Sequence, residues 1–303
     1  MFAAPPEVVA EVFTVMPDAF KRPHQPAEWK FGKDPAMHSF LEGPSIERDG
    51  SLLVSDIPFG RVFRVSPAGE WSLVCEYDGE PNGLAIHKDG SVRMADHKNG
   101  LMKLDPKTGE VTGELTRLRR ERFRGLNDCK YDAQGNLYFN DQGQSGMEDP
   151  TGRIYRLRPD GHVDLLIDTI PSPNAMAFSP NGKSLYVAVT RANQIWRLPL
   201  HADGTTTKVG VFIQLSGGTT GPDGLAVDAE GNLLVTHAGL GTLWMFTAIG
   251  EPMLRIRCPS GLDVTAACYG GPDNKKLFIT DSGTGTILKV DMQVPGATMF
   301  SHL

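Results

Sequence analysis

The chain has 303 residues and a formal net charge of −6, with 40% hydrophobic and 22% charged residues. This composition is that of a globular protein, excludes disorder, and argues against a nucleic-acid partner. No apolar run is long enough to span a bilayer, and the N-terminus lacks the charged leader and apolar core of a signal peptide. The sequence therefore predicts a cytoplasmic protein with no membrane partner.

Six similar segments follow one another from about residue 40 to 292, each with an apolar strand, a turn and a second apolar strand. In chain order they are EGPSIERDGSLLVSD, PNGLAIHKDGSVRMAD, LNDCKYDAQGNLYFND, PNAMAFSPNGKSLYVAV, PDGLAVDAEGNLLVTH and VTAACYGGPDNKKLFITD. A third short strand follows each segment, as in GRVFRVSP, and often a fourth, as in GEWSLVCEY. Four short strands in a period of about 40 to 48 residues, with no helices between them, are typical of a propeller blade.

The repeats therefore predict an all-β fold, a six-bladed β-propeller of four-stranded antiparallel blades around a central channel. Because no linker interrupts them, we expect residues 1–303 to form one domain. The two ends, roughly 8–20 and 293–303, are expected to close the ring by pairing with the terminal blade. Residues 1–40 would supply both this closing strand and a lid.

Aligning the repeats on the turn glycine reveals a polar position eight residues earlier. The residues there are Glu42, Asn82, Asn127, Asn174, Asp223 and, in the sixth repeat, Ala266. In a propeller this register forms a ring around one mouth of the channel. Each Asn or Asp alone also fits an Asx turn, but that interpretation does not account for Glu42.

Carboxylate and amide oxygens that converge on one axis require a cation between them. An all-oxygen set favours one divalent metal ion, Ca²⁺ first and Mg²⁺ or Mn²⁺ next. Zn²⁺ usually prefers His or Cys ligands, and neither occurs in this register. The ring therefore predicts a metal site at the channel mouth.

Four of the ring positions carry recognisable motifs, namely Glu42-Gly-Pro, Leu126-Asn127-Asp128, Pro173-Asn174-Ala175 and Pro222-Asp223-Gly224-Leu225. On six four-stranded repeats, this set resembles the regucalcin/gluconolactonase family, the senescence-marker-protein-like lactonase propellers. The resemblance implies that Glu42, Asn127, Asn174 and Asp223 bind one catalytic divalent metal, calcium or zinc. It also implies hydrolysis of a sugar-type lactone such as gluconolactone, or of a related small lactone.

Asp223 also matches the position of the base or nucleophile in that family. A carboxylate beside a divalent ion can accept the proton of an attacking water or attack the carbonyl itself, and the sequence leaves both roles open. Glu42 has a longer reach and no evident second task. We therefore predict Asp223 as the catalytic residue of a carboxylic ester hydrolase.

Two further residues are candidate substrate contacts. Asn82 has the ring register and is predicted to bind substrate or water. Arg124 lies three residues before Asn127, and the resemblance implies that an arginine just upstream holds substrate oxygens. The local sequence Arg-Gly-Leu-Asn departs from the Ser-Pro-Asn-Asp of bacterial relatives, so a solvated surface arginine is the alternative.

A second group of polar residues lies fourteen residues after the ring position. It comprises Asp56, Asp96, Asp141 and His237, with Asp281 near the equivalent point of the sixth repeat. The spacing Asp-x-x-x-Gly is typical of a turn cap, which is the structural interpretation of this group. Asp141 and His237 are also candidate substrate contacts, and His237 could relay a proton.

Two long loops, 21–41 and 142–152, are expected to cover the mouth and set specificity. Their aromatic and apolar residues, with one neighbour, would permit a hydrophobic or aromatic lactone, although packing onto the blades is an equal alternative. These residues are Trp29, Phe31, Phe40, Phe59 and Met147. Cys129, two residues after Asn127, is predicted to pack in the core rather than to act as a nucleophile.

Three other functions stay open beside the lactonase. The same site could serve a phosphotriesterase-like hydrolase, since some relatives hydrolyse phosphorus esters. A non-catalytic propeller that binds a protein or peptide would have no need for a polar ring. A condensing enzyme like strictosidine synthase would not need the four metal ligands. The predicted partner is a small-molecule lactone, with the protein a monomer or a homodimer.

Overall fold

A computed structural model of the protein describes residues 4–29 and 37–303. In these ranges, strands form six sheets arranged as propeller blades, together with one small hairpin. The predicted all-β, six-bladed propeller with four-stranded antiparallel blades is therefore confirmed. That the whole of residues 1–303 forms one domain stays a prediction.

Strands are numbered in chain order. Those before and within the first two blades are β1 (Glu7–Val9), β2 (Glu11–Val15), β3 (Leu41–Ile46), β4 (Leu52–Asp56), β5 (Arg61–Val65), β6 (Trp71–Glu76), β7 (Pro81–Ile86), β8 (Val92–Asp96), β9 (Gly100–Leu104) and β10 (Val111–Leu115). The hairpin and the next two blades contain β11 (Arg117–Leu118), β12 (Glu121–Arg122), β13 (Leu126–Tyr131), β14 (Leu137–Asp141), β15 (Gly152–Leu157), β16 (Val163–Ile170), β17 (Pro173–Phe178), β18 (Ser184–Val189), β19 (Gln194–Pro199) and β20 (Gly210–Gln214).

The last two blades contain β21 (Gly221–Val227), β22 (Leu233–Ala238), β23 (Thr242–Phe246), β24 (Pro252–Arg257), β25 (Val264–Gly270), β26 (Lys276–Asp281) and β27 (Thr286–Asp291). The helices that lie wholly within the described residues are short 3₁₀ turns, at Asp18–Phe20, Ile57–Phe59, Thr190–Ala192 and Phe300–His302. Within each blade, consecutive strands pair antiparallel from the channel outward. No helix in the described part of the chain is long and apolar enough to cross a membrane.

The N-terminal segment closes the ring. Strand β2 pairs antiparallel with β27 and supplies the fourth strand of the sixth blade, as expected. Strand β1 instead pairs in parallel with β24 and extends the fifth blade to five strands. One short segment thus ties the last two blades together.

The C-terminal segment differs from the expectation, because it adds no strand to the sixth blade. Gly296 makes an isolated bridge to Asp228 of the fifth blade. Further along, the ring of Phe300 packs 5.1 Å from His87 and 5.0 Å from Tyr131, measured between ring centroids. Pro295 has no amide hydrogen for a strand ladder, which disfavours continued pairing there.

The hydrophobic core lies between adjacent blades. One cluster joins Ala85, Ala95 and Leu101 of the second blade to Phe139 and Tyr155 of the third. Strand side chains alternate between the two faces of a blade, so each blade presents apolar residues to both neighbours. Cys129 belongs to this cluster and is fully buried, as predicted.

A break in pairing recurs at one point of every innermost strand. The register between first and second strand shifts at Glu42/Ser45, Pro81/Leu84, Leu126/Cys129, Pro173/Met176, Pro222/Leu225 and Val264/Ala267. Each break spans or adjoins the ring position. Such β-bulges are frequent beside active sites, since they redirect a side chain out of the regular pleat.

Candidate functional site

A cavity of about 840 Å³ opens at the mouth of the channel. All five oxygen-bearing ring residues line it, namely Glu42, Asn82, Asn127, Asn174 and Asp223. Apart from Asn174, which is partly exposed, they are buried, with Glu42 and Asn127 8% exposed and Asp223 9% exposed. The structure thus brings together the predicted metal ligands and Asn82.

Neighbouring blades hold the backbone of the ring residues in place. The hydroxyl of Ser55 donates to the carbonyl oxygen of Asn82 at 2.7 Å, and the amide of Asn140 donates to that of Asn174 at 2.5 Å. The hydroxyl of Thr190 donates to the carbonyl of Pro222, directly before Asp223, at 2.8 Å. Ring geometry is therefore fixed before any ligand binds, as a preformed site requires.

Close backbone approach between blades explains the glycine that follows Glu42. Gly43 has φ +56°, and a Cβ there would lie 2.3 Å from the carbonyl oxygen of Asn82. Its backbone N–H donates to Oε2 of Glu42 at 2.9 Å. Any larger residue would be strained and would push the first two ring positions apart.

The amide of Asn127 is oriented by a neighbour. Its Nδ2 donates to Oε1 of Gln142 at 3.3 Å, and Nε2 of Gln142 donates to the hydroxyl of Ser172 at 3.3 Å. Because the nitrogen of Asn127 is engaged, its oxygen is left to face the ring. Outer hydrogen bonds of this kind commonly orient the ligands of a metal.

The donor set fits a hard divalent cation. Two carboxylates and two amide oxygens, all on rigid backbone, are the chemistry that Ca²⁺ prefers. Among the described residues, no group of three or more His, Cys, Asp or Glu side chains could hold a metal, so the ring depends on its two asparagines. The channel narrows directly below the ring, where Asp128 and Lys130 lie 3.8 Å apart between carboxylate oxygen and ammonium nitrogen.

The wall around the ring comes from two recurring positions, and of the residues there only Phe40 and the loop residue Gln142 were predicted from the sequence. Residues that follow the second strand of their blades line the cavity, namely Ile57, His97, Gln142 and Thr190. Residues two before the ring position line it as well, namely Phe40, Glu80 and Ser172. Strand alternation provides the signal: the residue after a buried strand-end aspartate points to the opposite side, which here is the cavity.

The strand-end aspartates, Asp56, Asp96 and Asp141, do not line the cavity. They are buried, and their carboxylates accept hydrogen bonds from neighbouring residues. Asp56 forms an ion pair with Arg61, whose Nε lies 2.8 Å from its Oδ2. Asp96 accepts the phenol hydrogen of Tyr77 at 2.6 Å. Asp141 accepts two backbone N–H groups, those of Arg124 and Gly125, each at 2.8 Å. The turn-cap interpretation therefore describes their contacts, and Asp141 is not among the described residues that line the cavity.

The other two predicted substrate contacts also lie outside that lining. His237 is fully buried, with Nδ1 3.3 Å from the indole nitrogen of Trp244 and Nε2 3.1 Å from the carbonyl of Gly217. Burial lowers the pKa of His237, so its imidazole is neutral. The exposed side chain of Arg124 donates to Thr151 at 2.6 Å. Their roles toward substrate stay predictions.

Another arginine does reach the cavity. Arg191 is exposed in the lining, on the 3₁₀ turn that follows β18. The hydroxyl of its neighbour Thr190 donates to the carbonyl of Pro222, which ties this turn to the strand that contains Asp223. The guanidinium of Arg191 therefore lies beside that strand. No ion pair of Arg191 occurs among the described residues. Arg191 does not lie at a position that the repeats share, so aligning the repeats could not indicate it.

The two predicted loops contribute part of the cavity wall. Trp29 and Phe40 line it with ring centroids 4.4 Å apart, and residues 142–148 form another part of the wall. Met147 is 63% exposed in this loop. Phe59 instead packs beneath the guanidinium of Arg61, 5.2 Å from its ring centroid, and Phe31 lies outside the described residues.

Two titratable side chains stand on the second blade's part of the wall. Burial and the neighbouring Asp96 raise the pKa of Glu80 to about 7. Burial lowers the pKa of His97, whose ring packs against Gly125. The cavity thus contains, in the same lining as the ring residues, a carboxylic acid with a pKa raised to about 7.

Fold and ring together define a class: a six-bladed propeller with an oxygen-lined cavity at one end of its channel. The sequence model of the SMP-30/Gluconolactonase/LRE-like region matches residues 40–283. The chain belongs to this family.

Relatives and solved structures agree with this assignment. The chain is 30% identical over 231 residues to lactonase drp35 of Staphylococcus aureus, a match that covers 73% of this chain and 70% of that one. It is 28% identical over 272 residues to the gluconolactonase of Zymomonas mobilis, covering 80% and 76%. The fold matches a calcium-binding protein, regucalcin, from Agrobacterium tumefaciens with a TM-score of 0.78, at 24% identity and 100% coverage of both chains.

Proposed function

We propose that this protein is a divalent-metal-dependent lactonase, a carboxylic ester hydrolase that opens a lactone at the channel mouth. The observation that carries the proposal is the convergence of Glu42, Asn127, Asn174 and Asp223 on one rigid cavity. Relatives named lactonase and gluconolactonase support lactone hydrolysis as the reaction. A binding propeller would have no use for two buried carboxylates facing the axis.

Those four residues would hold the metal, with Ca²⁺ favoured by the all-oxygen donors. Support for calcium also comes from the fold likeness to a protein described as calcium-binding. The ion supplies positive charge that polarises the lactone carbonyl and makes an attacking water more acidic. Glu42 and Asp223 would balance that charge, while the two asparagines contribute neutral dipoles.

Asp223 is the proposed catalytic carboxylate. It either takes the proton of the attacking water or attacks the carbonyl carbon itself. A single turnover in ¹⁸O-labelled water separates the two routes. Direct attack forms a mixed anhydride between Asp223 and the opened lactone, and its hydrolysis at the Asp223 carbonyl places ¹⁸O in the Asp223 carboxylate. Base catalysis places the label only in the product.

The proposed substrate is a sugar-type lactone such as gluconolactone, or a related small lactone. Asn82 lines the cavity beside the proposed ligands and would contact substrate or an ordered water. The cavity of about 840 Å³ lies in the upper part of the range of about 300–1,000 Å³ known for small-molecule sites. Substituents beyond a single sugar ring would therefore fit.

Hydrolysis by chelator-stripped protein, resupplied with Ca²⁺, Mn²⁺, Mg²⁺ or Zn²⁺, tests the proposal. Proton release would be followed on glucono-, galactono- and alkyl-substituted lactones. We expect activity that returns with a divalent ion and is lost in Asp223→Asn and Glu42→Gln. If every lactone survives with every ion, the proposal is wrong, and a partner-binding role replaces it.

A further inference from the structure

The strongest feature outside the ring is the carboxyl group of Glu80. It is half-buried in the cavity wall, two residues before Asn82. Its backbone N–H donates to Oδ2 of Asp96 at 3.0 Å, and its carbonyl accepts the N–H of His97 at 2.9 Å. The start of the second blade is therefore anchored, and the backbone of Glu80 is held in the cavity wall.

The groups around Glu80 are mostly acidic. Burial raises its pKa most, Asp96, Glu28 and Asp78 raise it further, and Lys98 among the described residues lowers it. The ammonium of Lys98 already forms ion pairs, 2.6 Å from a carboxylate oxygen of Asp78 and 3.5 Å from one of Glu28. The carboxyl group of Asp96 is held beside Glu80 by four hydrogen bonds that it accepts, and its negative charge favours a proton on Glu80.

Lactone opening requires such a proton. When the bond between the carbonyl carbon and the ring oxygen breaks, the electron pair leaves on the ring oxygen as a strongly basic alkoxide. Glu42 and Asp223 act as anions in the proposed site and cannot protonate it. His97 is neutral, since burial lowers its pKa. Glu28 and Glu148 also line the cavity, but both are exposed, whereas Glu80 is half-buried.

We propose that Glu80 is the general acid that protonates the leaving ring oxygen. A water oxygen bonds to the carbonyl carbon and its proton passes to Asp223. The bond between that carbon and the ring oxygen breaks, and the Glu80 proton moves to the ring oxygen. Asp223 then releases its proton to solvent and Glu80 takes one up, so lactone and water give a hydroxy acid with both carboxyl groups restored. This inference rests on the proposed lactonase function.

Two substrates that differ in leaving-group basicity test the proposal. An aliphatic δ-lactone expels an alkoxide and needs the proton, whereas dihydrocoumarin expels a phenolate and needs it far less. In Glu80→Gln we expect kcat to fall about 10²–10³-fold on the aliphatic lactone, and less than tenfold on dihydrocoumarin. The rate of wild-type protein on the aliphatic lactone should decline as pH rises through about 7, because Glu80 loses its proton there.

A readout without metal or substrate accompanies the kinetics. The carboxylic acid band in the infrared spectrum of metal-free protein should titrate near pH 7 and be missing in Glu80→Gln. Glu110→Gln, an exposed substitution at the far end of the same blade, serves as the matched control.

Failure of this inference differs from failure of the proposed function. If wild-type protein hydrolyses neither substrate, the lactonase itself is wrong. If it hydrolyses both and Glu80→Gln slows both equally, Glu80 has a structural role and the inference is overturned. An acid band that titrates in the ordinary range of glutamate overturns it as well.

Discussion

Two sets of oxygen-bearing residues lie side by side at the channel mouth, and one lines the cavity whereas the other is buried in the blades. The ring residues, such as Glu42 and Asp223, line the cavity and converge on its axis. The strand-end aspartates, such as Asp56 and Asp96, are fully buried and accept hydrogen bonds from their own blade. Both sets include carboxylates, so what separates Glu42 and Asp223 from the strand-end aspartates is the direction in which the side chain points.

Backbone geometry decides that direction. Each ring residue lies at a break in register, which turns its side chain toward the channel. Each strand-end aspartate lies in regular pairing and points back into the blade, as the alternation of a strand requires. We therefore predict that substitutions of ring residues change function with little change in stability. Substitutions of strand-end aspartates should change stability with little change in function.

The largest functional effect is expected for Asp223→Asn. Loss of the catalytic carboxylate should lower kcat by about 10³-fold or more, within the range of acid–base groups. The free energy of unfolding without metal should change by less than about 1 kcal/mol, because the substitution keeps the shape and removes a charge that faces Glu42. Steady-state kinetics and urea unfolding would measure both, and an unfolded variant would contradict the comparison.

The largest stability effect is expected for Asp56→Asn. Arg61, 2% exposed, would keep its charge without its buried partner, which costs about 3–5 kcal/mol. Asp168→Asn on the exposed outer strand of the third blade is the control and should cost close to nothing. Urea unfolding gives the two values, and equal stability of both variants would show that the strand-end ion pair is not structural.

A smaller effect is expected where an outer residue orients a ligand. Gln142→Leu removes the acceptor that holds the amide nitrogen of Asn127, so affinity for Ca²⁺ should fall about 10–100-fold. Calorimetric titration of chelator-stripped protein measures the change. Gln134→Leu, at the opposite end of the same blade, should leave affinity unaltered, and equal losses in both would exclude the orienting role.

The smallest effect separates two arginines. Arg191→Ala should raise KM several-fold, since its guanidinium lines the cavity, whereas Arg124→Ala should change KM by less than about twofold. Removal of an exposed charge costs little free energy in either case. If Arg124→Ala raised KM more than Arg191→Ala, Arg124 and not Arg191 would be the substrate contact.

The repeat made the fold and the ring predictable from sequence. Strand, turn and strand recur with the ring residue at a constant distance from the turn, so one alignment indicates the shared axis. The residues of the cavity wall were harder to predict from the sequence. Gln142 was predicted only as part of the loop 142–152, and His97 was not predicted. Both directly follow a strand-end aspartate, and strand alternation, once β8 and β14 are known, points them toward the cavity.

Other features depend on contacts that no single segment encodes. The raised pKa of Glu80 arises first from its burial in the fold and then from Asp96, Glu28 and Asp78, which come from separate parts of the chain. The division of the N-terminus between two blades depends on which sheet edges remain free once the ring has formed. Such features follow from tertiary packing rather than from periodicity.

Anomalous diffraction from crystals grown with Mn²⁺ in place of Ca²⁺ tests the central claim most directly. The account predicts one peak at the channel mouth, within about 2.6 Å of oxygens from Glu42, Asn127, Asn174 and Asp223. The same peak should be missing in crystals of Asp223→Asn grown in parallel. An empty ring in the wild-type crystals, or a peak held by other residues, would contradict it.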